Sequence, residues 1–572
     1  MKHILIKYAI VLFAIFSIVS CEDVLDTEAK DAFAEDLIYS DPDQAERVVF
    51  TAYNSTESWS INRFQWWTFR VNIEGASWEG KFNFKDLDNV YKMRGGWSPS
   101  NSGLAFNNRW ANSWDYVRLI SEFLGKIDDS PAMQEDPDKV NVLKAEMQFL
   151  RANIYSKLIK YYGGVPIMEN ALGLEDEFNL PRNSYEECVD FIVRELDAAA
   201  AVLPETQPDA WFGRATKLAA LAVKSRTLLY AASQLHDPST VPNGPLYDYN
   251  KGSKWQDAAD AAKAVIDLVG ARDLIAVSNA TEYQNLFLSE NEDILFARSY
   301  GNLYAEMAND INTLPDQAQS PSGYGGWGLV SPSHNFALEF NMADGTTTDG
   351  PTFDASKPND NREMRYYADL NYQGANFRGR PVDYALADNP SVATPNGLDS
   401  PEGLGNTLHT SKTGYNIRKF QDESLSALTD LSADRPYILY RLSEIYLNYA
   451  EAVYNLGDED MARMYVNKVS NRALQPDITS SGTDLLEAIK RERRIELCFE
   501  GHNFFDERRW MNQDHIGGYD IKGLTWKKAA DGSLSFTEGT VITRPWYDYR
   551  YYLPIPQAEI EKAPALEQNF GY

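Results

Sequence analysis

Apolar residues return every three or four positions along several long stretches of the chain, the spacing that lines one face of an α-helix. In the stretch from Pro436 to Asp458, Ile438, Leu442, Ile445, Tyr449, Ala452 and Leu456 stand at offsets 0, 4, 7, 11, 14 and 18. Beside that stripe Arg441, Glu444, Asn448 and Glu451 repeat at three- and four-residue spacing, a polar ladder suited to locking a neighbouring helix. Gly457-Asp458 ends the run, and Ala462 to Ala473 reads as the returning partner helix. Upstream, Met147, Leu150, Ile154, Leu158 and Tyr161 form another stripe, closed by Gly163-Gly164 and Pro166. The spacing predicts helices over about 40–50, 110–127, 141–162, 184–203, 216–233, 255–268, 437–456, 458–473 and 484–500. Small residues at Ala450, Ala452 and Ala462 suit a tetratricopeptide-type hairpin, although no strict repeat period survives. Residues 59–109 and 270–430 are instead rich in Gly, Asn, Asp, Ser and Pro, with a strand-like DILFARSY at Asp293 to Tyr300. The expected fold is mostly α: a tetratricopeptide-like helical scaffold with long loop excursions containing short β-strands.

Several segments carry a more specific signal. YLNYAEA (Tyr446 to Ala452), RIELCFEGHNFFDERRW (Arg494 to Trp510) and the terminal YYLPIPQAEIEKAPALEQNFGY (Tyr551 to Tyr572) resemble the SusD/RagB family of Bacteroidetes outer-membrane nutrient-binding lipoproteins. AEMQFLRANIYSKLIKYYGGVPI (Ala145 to Ile167) and GRATKLAALAVKSRTLLYAA (Gly213 to Ala232) match the family's earlier helices, whereas 270–430 matches only loosely. The resemblance implies a non-catalytic glycan-binding protein that sits as a lid on a SusC-like TonB-dependent transporter and passes it an oligosaccharide. It implies no cofactor. With no Gly/Ser- or Pro-rich linker between helical blocks, residues 21–572 read as one SusD-like domain: a helical part to about 270, a loop-rich middle over about 271–430, and a helical and terminal part from about 431.

The amino terminus adds a separate line. Lys2, His3 and Lys7 precede an apolar run from Tyr8 to Val19, too short to span a bilayer but of signal-peptide proportions, so residues 1–20 read as a signal peptide. Ile18-Val19-Ser20-Cys21 resembles a bacterial lipobox, which makes Cys21 the lipidation site. Each buried lipid methylene contributes roughly 0.8 kcal/mol, so several acyl chains anchor firmly. Glu22 and Asp23 resemble the signal that sends such lipoproteins to the cell surface. Removing Lys2 and Lys7 takes the formal charge from −29 to −31. So acidic a chain lacks the basic footprint that nucleic acid requires. Cys188 and Cys498 lie in helix-like segments and read as two buried thiols rather than a disulfide.

The aromatic residues are unevenly spread. Trp59, Trp66, Trp67, Trp78, Trp97, Trp110 and Trp114 are seven of the thirteen tryptophans, crowded near the start of the mature chain. Trp110 and Trp114 are four apart on a helical pattern and read as packing residues. Trp78 and Trp97 flank the polar GKFNFKDLDNVYKMRGG, with Lys81, Asp86, Arg94 and Asn101 close by. Sugar rings present apolar C–H faces and a rim of hydroxyls, so an exposed aromatic platform ringed by Arg and Asn suits them. A second cluster comprises Tyr300, Tyr304, Tyr324 and Trp327, the last two in the glycine-rich SGYGGWG, where flexible backbone lets a ring stand out. The candidate glycan-binding set is therefore Trp78, Arg94, Trp97, Asn101, Tyr300, Tyr304, Tyr324 and Trp327; the resemblance implies that glycan is held by aromatics from loops near the amino-terminal scaffold together with ones from the middle region, a correspondence of position only.

Glu492, Glu496, Glu500 and His502 raise the competing chemistries of metal binding and glycoside hydrolysis. Arg491, Arg493 and Arg494 alternate with the glutamates, which favours interhelical ion pairs, and Arg441 and Glu444 are expected to interlock with Arg493 and Glu496. HExxH, P-loop and GxSxG motifs are absent from the sequence. Two alternatives stay open: a RagB-like peptide binder of the same architecture, and a glycoside hydrolase, which needs two carboxylates about 5 to 9.5 Å apart in a cleft.

Overall fold

The computed structural model describes residues 35–56, 73–83, 98–100, 104–173, 175–176, 178–299, 315–388, 390–391, 395–403, 408–425, 428 and 435–572. The expected signal peptide, Cys21, Arg94, Trp97, Asn101, Tyr300 and Tyr304 lie outside these residues.

The long helices begin and end where local chemistry dictates. Helix α1 spans Pro42–Ala52, α2 Leu104–Lys126, α3 Pro137–Tyr162, α4 Tyr185–Val202, α5 Lys217–Ala232 and α6 Lys254–Val269. Asp136 caps α3 by accepting from the Lys139 amide at 3.0 Å, and proline occupies the first turn, where its missing N–H costs nothing. Ser184 and Glu187 form a reciprocal capping box on α4. Gly163 and Gly270 follow α3 and α6 at φ 74° and 69°, conformations a side chain would strain.

Each helix from α2 onward packs on its neighbour in sequence, so the chain builds a stack. After α6 it departs into the loop-rich middle and rejoins at α7, Leu442–Asn455, which packs directly on α6. Helices α8, Glu459–Arg472, and α9, Gly482–Glu496, continue the stack, and α10 spans Asn503–Arg509. The expected stripe on α3 is the packed face, with Met147, Leu150, Ile154, Leu158 and Tyr161 all buried. Trp110 packs edge-on to Trp114 and Tyr162 at 5.4 and 5.0 Å between centroids, as core residues do.

Two expectations need correction, and one element has no counterpart among them. Tyr437–Arg441 is not helical but a strand, antiparallel to Ile294–Arg298. Ile438 therefore belongs to a ladder opposite Ala297, and the helix starts only at Leu442, whose N–H donates to the Asp293 carbonyl at 2.8 Å. Over so short a run an apolar position fits a period of two as well as 3.6, and pairing with a distant strand decides between them. The last expected helix stops at Glu496 instead of 500, and Phe499 and Gly501 take positive φ. A long antiparallel hairpin, Tyr519–Lys528 with Leu534–Arg544, was not foreseen at all.

The interior between α7, α9 and α10 is ionic. Glu496 is fully buried and accepts from Arg365 at 3.0 Å, from Arg441 at 2.5 Å and from Arg472. Burial alone would raise its pKa, but the three guanidiniums hold it well below the usual carboxylate range. Glu451 receives Arg509 at 2.5 and 2.7 Å and the Trp510 indole N–H at 2.8 Å. Arg493 donates to Asp506 at 2.8 Å and to Asn448 at 2.7 Å. The expected ladder interlocks, with one change of partner: Glu444 pairs with Arg226 of α5, at 2.5 and 2.6 Å. Cys188 and Cys498 are both free thiols and buried.

Candidate functional site

Two stretches remote in sequence meet in a short sheet. Strand β1, Gly80–Phe82, runs antiparallel to β2, Val330–Pro332, with Lys81 opposite Ser331. The ladder is extended by Asn83, whose backbone N–H donates to the Leu329 carbonyl at 3.0 Å and whose side-chain Nδ2 donates to the Gly328 carbonyl. Ser331 Oγ donates to Asn83 Oδ1 at 2.6 Å. The tryptophan-flanked segment and the glycine-rich turn of Trp327, proposed from sequence as two separate clusters, thus emerge from one sheet. A second junction lies at Arg298, which donates to the Thr56 carbonyl at 3.1 Å and to Asn54 Oδ1 at 3.2 Å.

Trp327 is half-buried and is held by its backbone, which donates to the Gln317 carbonyl at 2.7 Å. Its ring stands 6.4 Å from His409 at a 45° tilt. Burial depresses the His409 pKa, favouring the neutral ring. The flanking glycines do not supply looseness, contrary to the sequence reading. A Cβ on Gly326 would fall 2.1 Å from the Ser320 carbonyl oxygen, and one on Gly328, at φ 48°, would fall 2.6 Å from that of His409. They are glycine because backbone passes against backbone, and the close approach fixes the turn that carries the ring.

Tyr324 is also half-buried and thoroughly pinned. Its hydroxyl lies 2.8 and 2.9 Å from the Phe377 and Arg380 carbonyls, and the Arg380 guanidinium covers one ring face at 3.6 Å. Arg380 is itself clamped by both oxygens of Asp399, at 2.7 and 3.0 Å. Trp78 departs from the expected exposed platform. Only 7% exposed, it stacks on His515 with centroids 3.8 Å apart and meets Phe336 edge-on. An indole beside a polar segment looks exposed in sequence; the C-terminal region supplies the ring that covers it. Lys81 is buried as well, with Nζ donating to the Phe82 carbonyl at 2.6 Å.

One aromatic group escaped the sequence reading. Trp211 is 42% exposed and stacks on Phe50, centroids 5.7 Å apart and planes within 5°, with the Arg214 guanidinium 5.0 Å from the indole. Arg214 is fixed by Glu46 at 2.7 Å and by Glu146. The pair lies near the Arg298 junction, because a Cβ on neighbouring Gly213 would meet the Ala297 carbonyl at 3.1 Å. The signal was present: PDAWFG sets a tryptophan among turn formers, as SGYGGWG does.

The carboxylates weighed for catalysis are engaged elsewhere. Glu492 accepts from Arg365 at 2.5 and 3.0 Å, and Glu500 accepts from Lys419 and Arg441 at 2.9 and 2.7 Å. His502 is buried among cations, and burial first, then Arg226 and Arg493, push its pKa well down. Among the described residues no group of three His, Cys, Asp or Glu is placed to hold a metal ion.

Comparison with known proteins agrees on one family. The profile described as "SusD family" matches residues 291–572, and "Starch-binding associating with outer membrane" matches 47–229. A SusD-like protein of Formosa agariphila is 22% identical over 98% of both chains. The starch-binding protein SusD of Bacteroides thetaiotaomicron is 22% identical over 83% of this chain and 80% of its own. Among solved structures, a SusD-like protein of Bacteroides fragilis superposes with a TM-score of 0.76 at 26% identity, over 94% of this chain and 99% of its own. A structure named as a laminarin-binding SusD-like protein gives 0.63 at 19% identity, over 93% of this chain and all of its own. The helix stack shares its fold with these structures, and the chain belongs to the SusD/RagB family.

Proposed function

We propose that this protein is a non-catalytic glycan-binding lipoprotein of the outer membrane, anchored through Cys21, exposed at the cell surface, and working with a SusC-like TonB-dependent transporter. The observation that carries the reading is the junction of β1 and β2. It gathers Trp327 and the start of the segment containing Arg94, Trp97 and Asn101 onto one rigid mount. A half-exposed indole on a fixed turn is a stacking surface whose ordering cost is met by the fold rather than by binding. Trp211 offers a second exposed ring beside the Arg298 junction, where the segment holding Tyr300 and Tyr304 begins. The names of relatives point the same way, toward starch and laminarin. Against hydrolysis stands the arginine clamp on Glu492, Glu496 and Glu500.

The test is calorimetric titration of neutral oligosaccharides and of peptides into wild type, Trp97→Ala and Trp327→Ala, with a melt on each sample. Loss of a stacking ring from a shallow site forfeits about 1 to 3 kcal/mol, or roughly 5- to 150-fold in affinity, with little change in melting. Peptide binding without glycan binding would move the cargo to the RagB-like alternative, and lost stability with retained affinity would make these rings core residues. Oligosaccharide cleaved on prolonged incubation, and spared when one Asp or Glu is replaced, would establish the hydrolase. For the anchor, Cys21→Ala should abolish lipidation and deplete the protein from the outer membrane; unchanged surface labelling of that variant would refute the assignment.

A further inference from the structure

In a chain carrying 83 acidic and 54 basic residues, one cleft is lined by Lys157, Lys160, Arg226, Arg508 and Arg509 and, among the described residues, by no aspartate or glutamate. It lies between α3, α5, α10 and the C-terminal segment at Tyr551-Tyr552, a partly open cleft with a cavity volume of about 50 Å³. Arg226 and Arg509 are neutralised from behind by Glu444, and by Glu451 and Asp506. Arg508 has no such partner among the described residues. It is 8% exposed, its Nε donates to the Arg550 carbonyl at 3.2 Å, and its Nη1 donates to the Phe504 carbonyl at 2.7 Å. Nη2 donates to no group among the described residues, and Phe504 shields the guanidinium face at 3.5 Å. Burial pushes its pKa down to about 9, as expected of a cation enclosed without a counter-charge. Elsewhere among the buried arginines Arg365, Arg441, Arg472, Arg493 and Arg494 each meet a carboxylate, and Arg182, Arg362 and Arg544 are each answered by three backbone carbonyls against two for Arg508. Enclosing a cation without a counter-charge is costly, and a bound anion relieves the cost.

We propose that this cleft is an anion subsite that takes the oxyanion of an acidic sugar, a uronate carboxylate or a sulfate ester, with Arg508, which lines it, as its principal cation. Lys160, whose ammonium lies 4.0 Å from the centre of the Phe505 ring, contributes a positive field from α3. Tyr230, Tyr440 and Tyr551 complete the lining with aromatic carbon and hydroxyls suited to a pyranose. The assignment rests on the glycan reading for the source of the anion, not for the existence of the site. The protein then selects charged over neutral glycans at a place separate from the Trp327 face.

The experiment titrates glucuronate, glucose 6-sulfate, inorganic sulfate and glucose into the full chain in detergent, and repeats the series with Arg508→Gln and Lys160→Met. Wild type should bind at least one charged sugar and bind glucose more weakly by tenfold or more. Arg508→Gln should lose roughly tenfold or more toward the charged sugar, the scale of a hydrogen bond to a charged group. Lys160→Met should lose several-fold with its melt unchanged, and it decides the matter if Arg508→Gln fails to fold. Preference for glucuronate or for the sulfate ester identifies which oxyanion is read. Inorganic sulfate binding with neither charged sugar would overturn the sugar assignment. Failure of all three anions, or unchanged affinity in both variants, would overturn the site. A neutral oligosaccharide titrated in parallel keeps the two readings apart: its loss in Trp327→Ala but not in Arg508→Gln tests the glycan face alone.

Discussion

Between α7 and α9, Glu496 receives three arginines in a space closed to water; at the β1–β2 junction, Trp327 stands half-buried on a turn held by backbone hydrogen bonds and the Asn83 side chain. The first region spends its polar side chains on one another and leaves nothing for a ligand. The second fixes its backbone through glycine, Asn83 and Gln317, and carries a half-buried aromatic ring. Charge density therefore misleads as a guide to function here. The arginines and glutamates around Glu496 satisfy one another, and an aromatic ring on a tight turn is the better candidate for the glycan face.

The strongest way to break this contrast is Glu496→Ala. It takes a shared partner from Arg365, Arg441 and Arg472, which keep Glu492, Glu500 and Asp293, and loss of one partner from a buried ionic cluster costs about 3 to 5 kcal/mol. Chemical denaturation should show a destabilisation of that order, while the remaining folded protein binds ligand normally. An unchanged midpoint together with lost affinity would exchange the roles of the two regions.

Acid should act on the same side of the comparison. Burial favours the neutral form of Glu507, but Arg494 and His515 outweigh it and hold the carboxyl near 2, against 4.5 for an ordinary glutamate. A depressed carboxylate contributes stability that is fully present above its unfolded value and is lost as pH falls through the folded one. The stability difference between wild type and Glu507→Gln should thus be constant near neutrality and shrink between about pH 4.5 and 2, by up to about 3 kcal/mol. Equilibrium unfolding at several pH values reads this directly; a difference that grows on acidification contradicts the sign.

Gly326→Ala sharpens the other side. With the new methyl 2.1 Å from the Ser320 carbonyl, the turn must shift, at a cost of about 1 to 3 kcal/mol by analogy with overpacking. Glycan affinity should fall with Trp327 still present, whereas affinity equal to wild type would show that the ring does not depend on its mount. The smallest effect is expected from Tyr324→Phe. Removing a hydroxyl poised between two carbonyls costs about 1 kcal/mol of stability, and with Arg380 over the ring it should leave affinity nearly unchanged. A large loss of binding would move Tyr324 from support to contact.

Much of the scaffold was legible because its causes are local. Asp136, Ser184-Glu187 and Gly163 bound helices by hydrogen bonds and backbone freedom that operate within one turn, and the apolar stripe on α3 needs only a period. The C-terminal motifs that resemble SusD/RagB lie largely in this same helical framework. The candidate site was legible only as two lists of aromatic residues. Nothing near Trp78 in the chain announces His515, and nothing near Asn83 announces Gly328, because those contacts are made by residues hundreds of positions away.

The sequence by itself determined where most helices run and where charges alternate, since these follow from short-range periodicity and capping, and its motifs carried the resemblance to the family. Tertiary structure alone decided that Tyr437–Arg441 is a strand, that Glu444 answers Arg226, that Trp78 is covered while Trp211 is not, and that Arg508 faces a cleft without a counter-charge. The physical reason is common to all four. Burial and pairing are properties of what arrives from elsewhere in the chain, and a side chain's own neighbours in sequence carry no record of it.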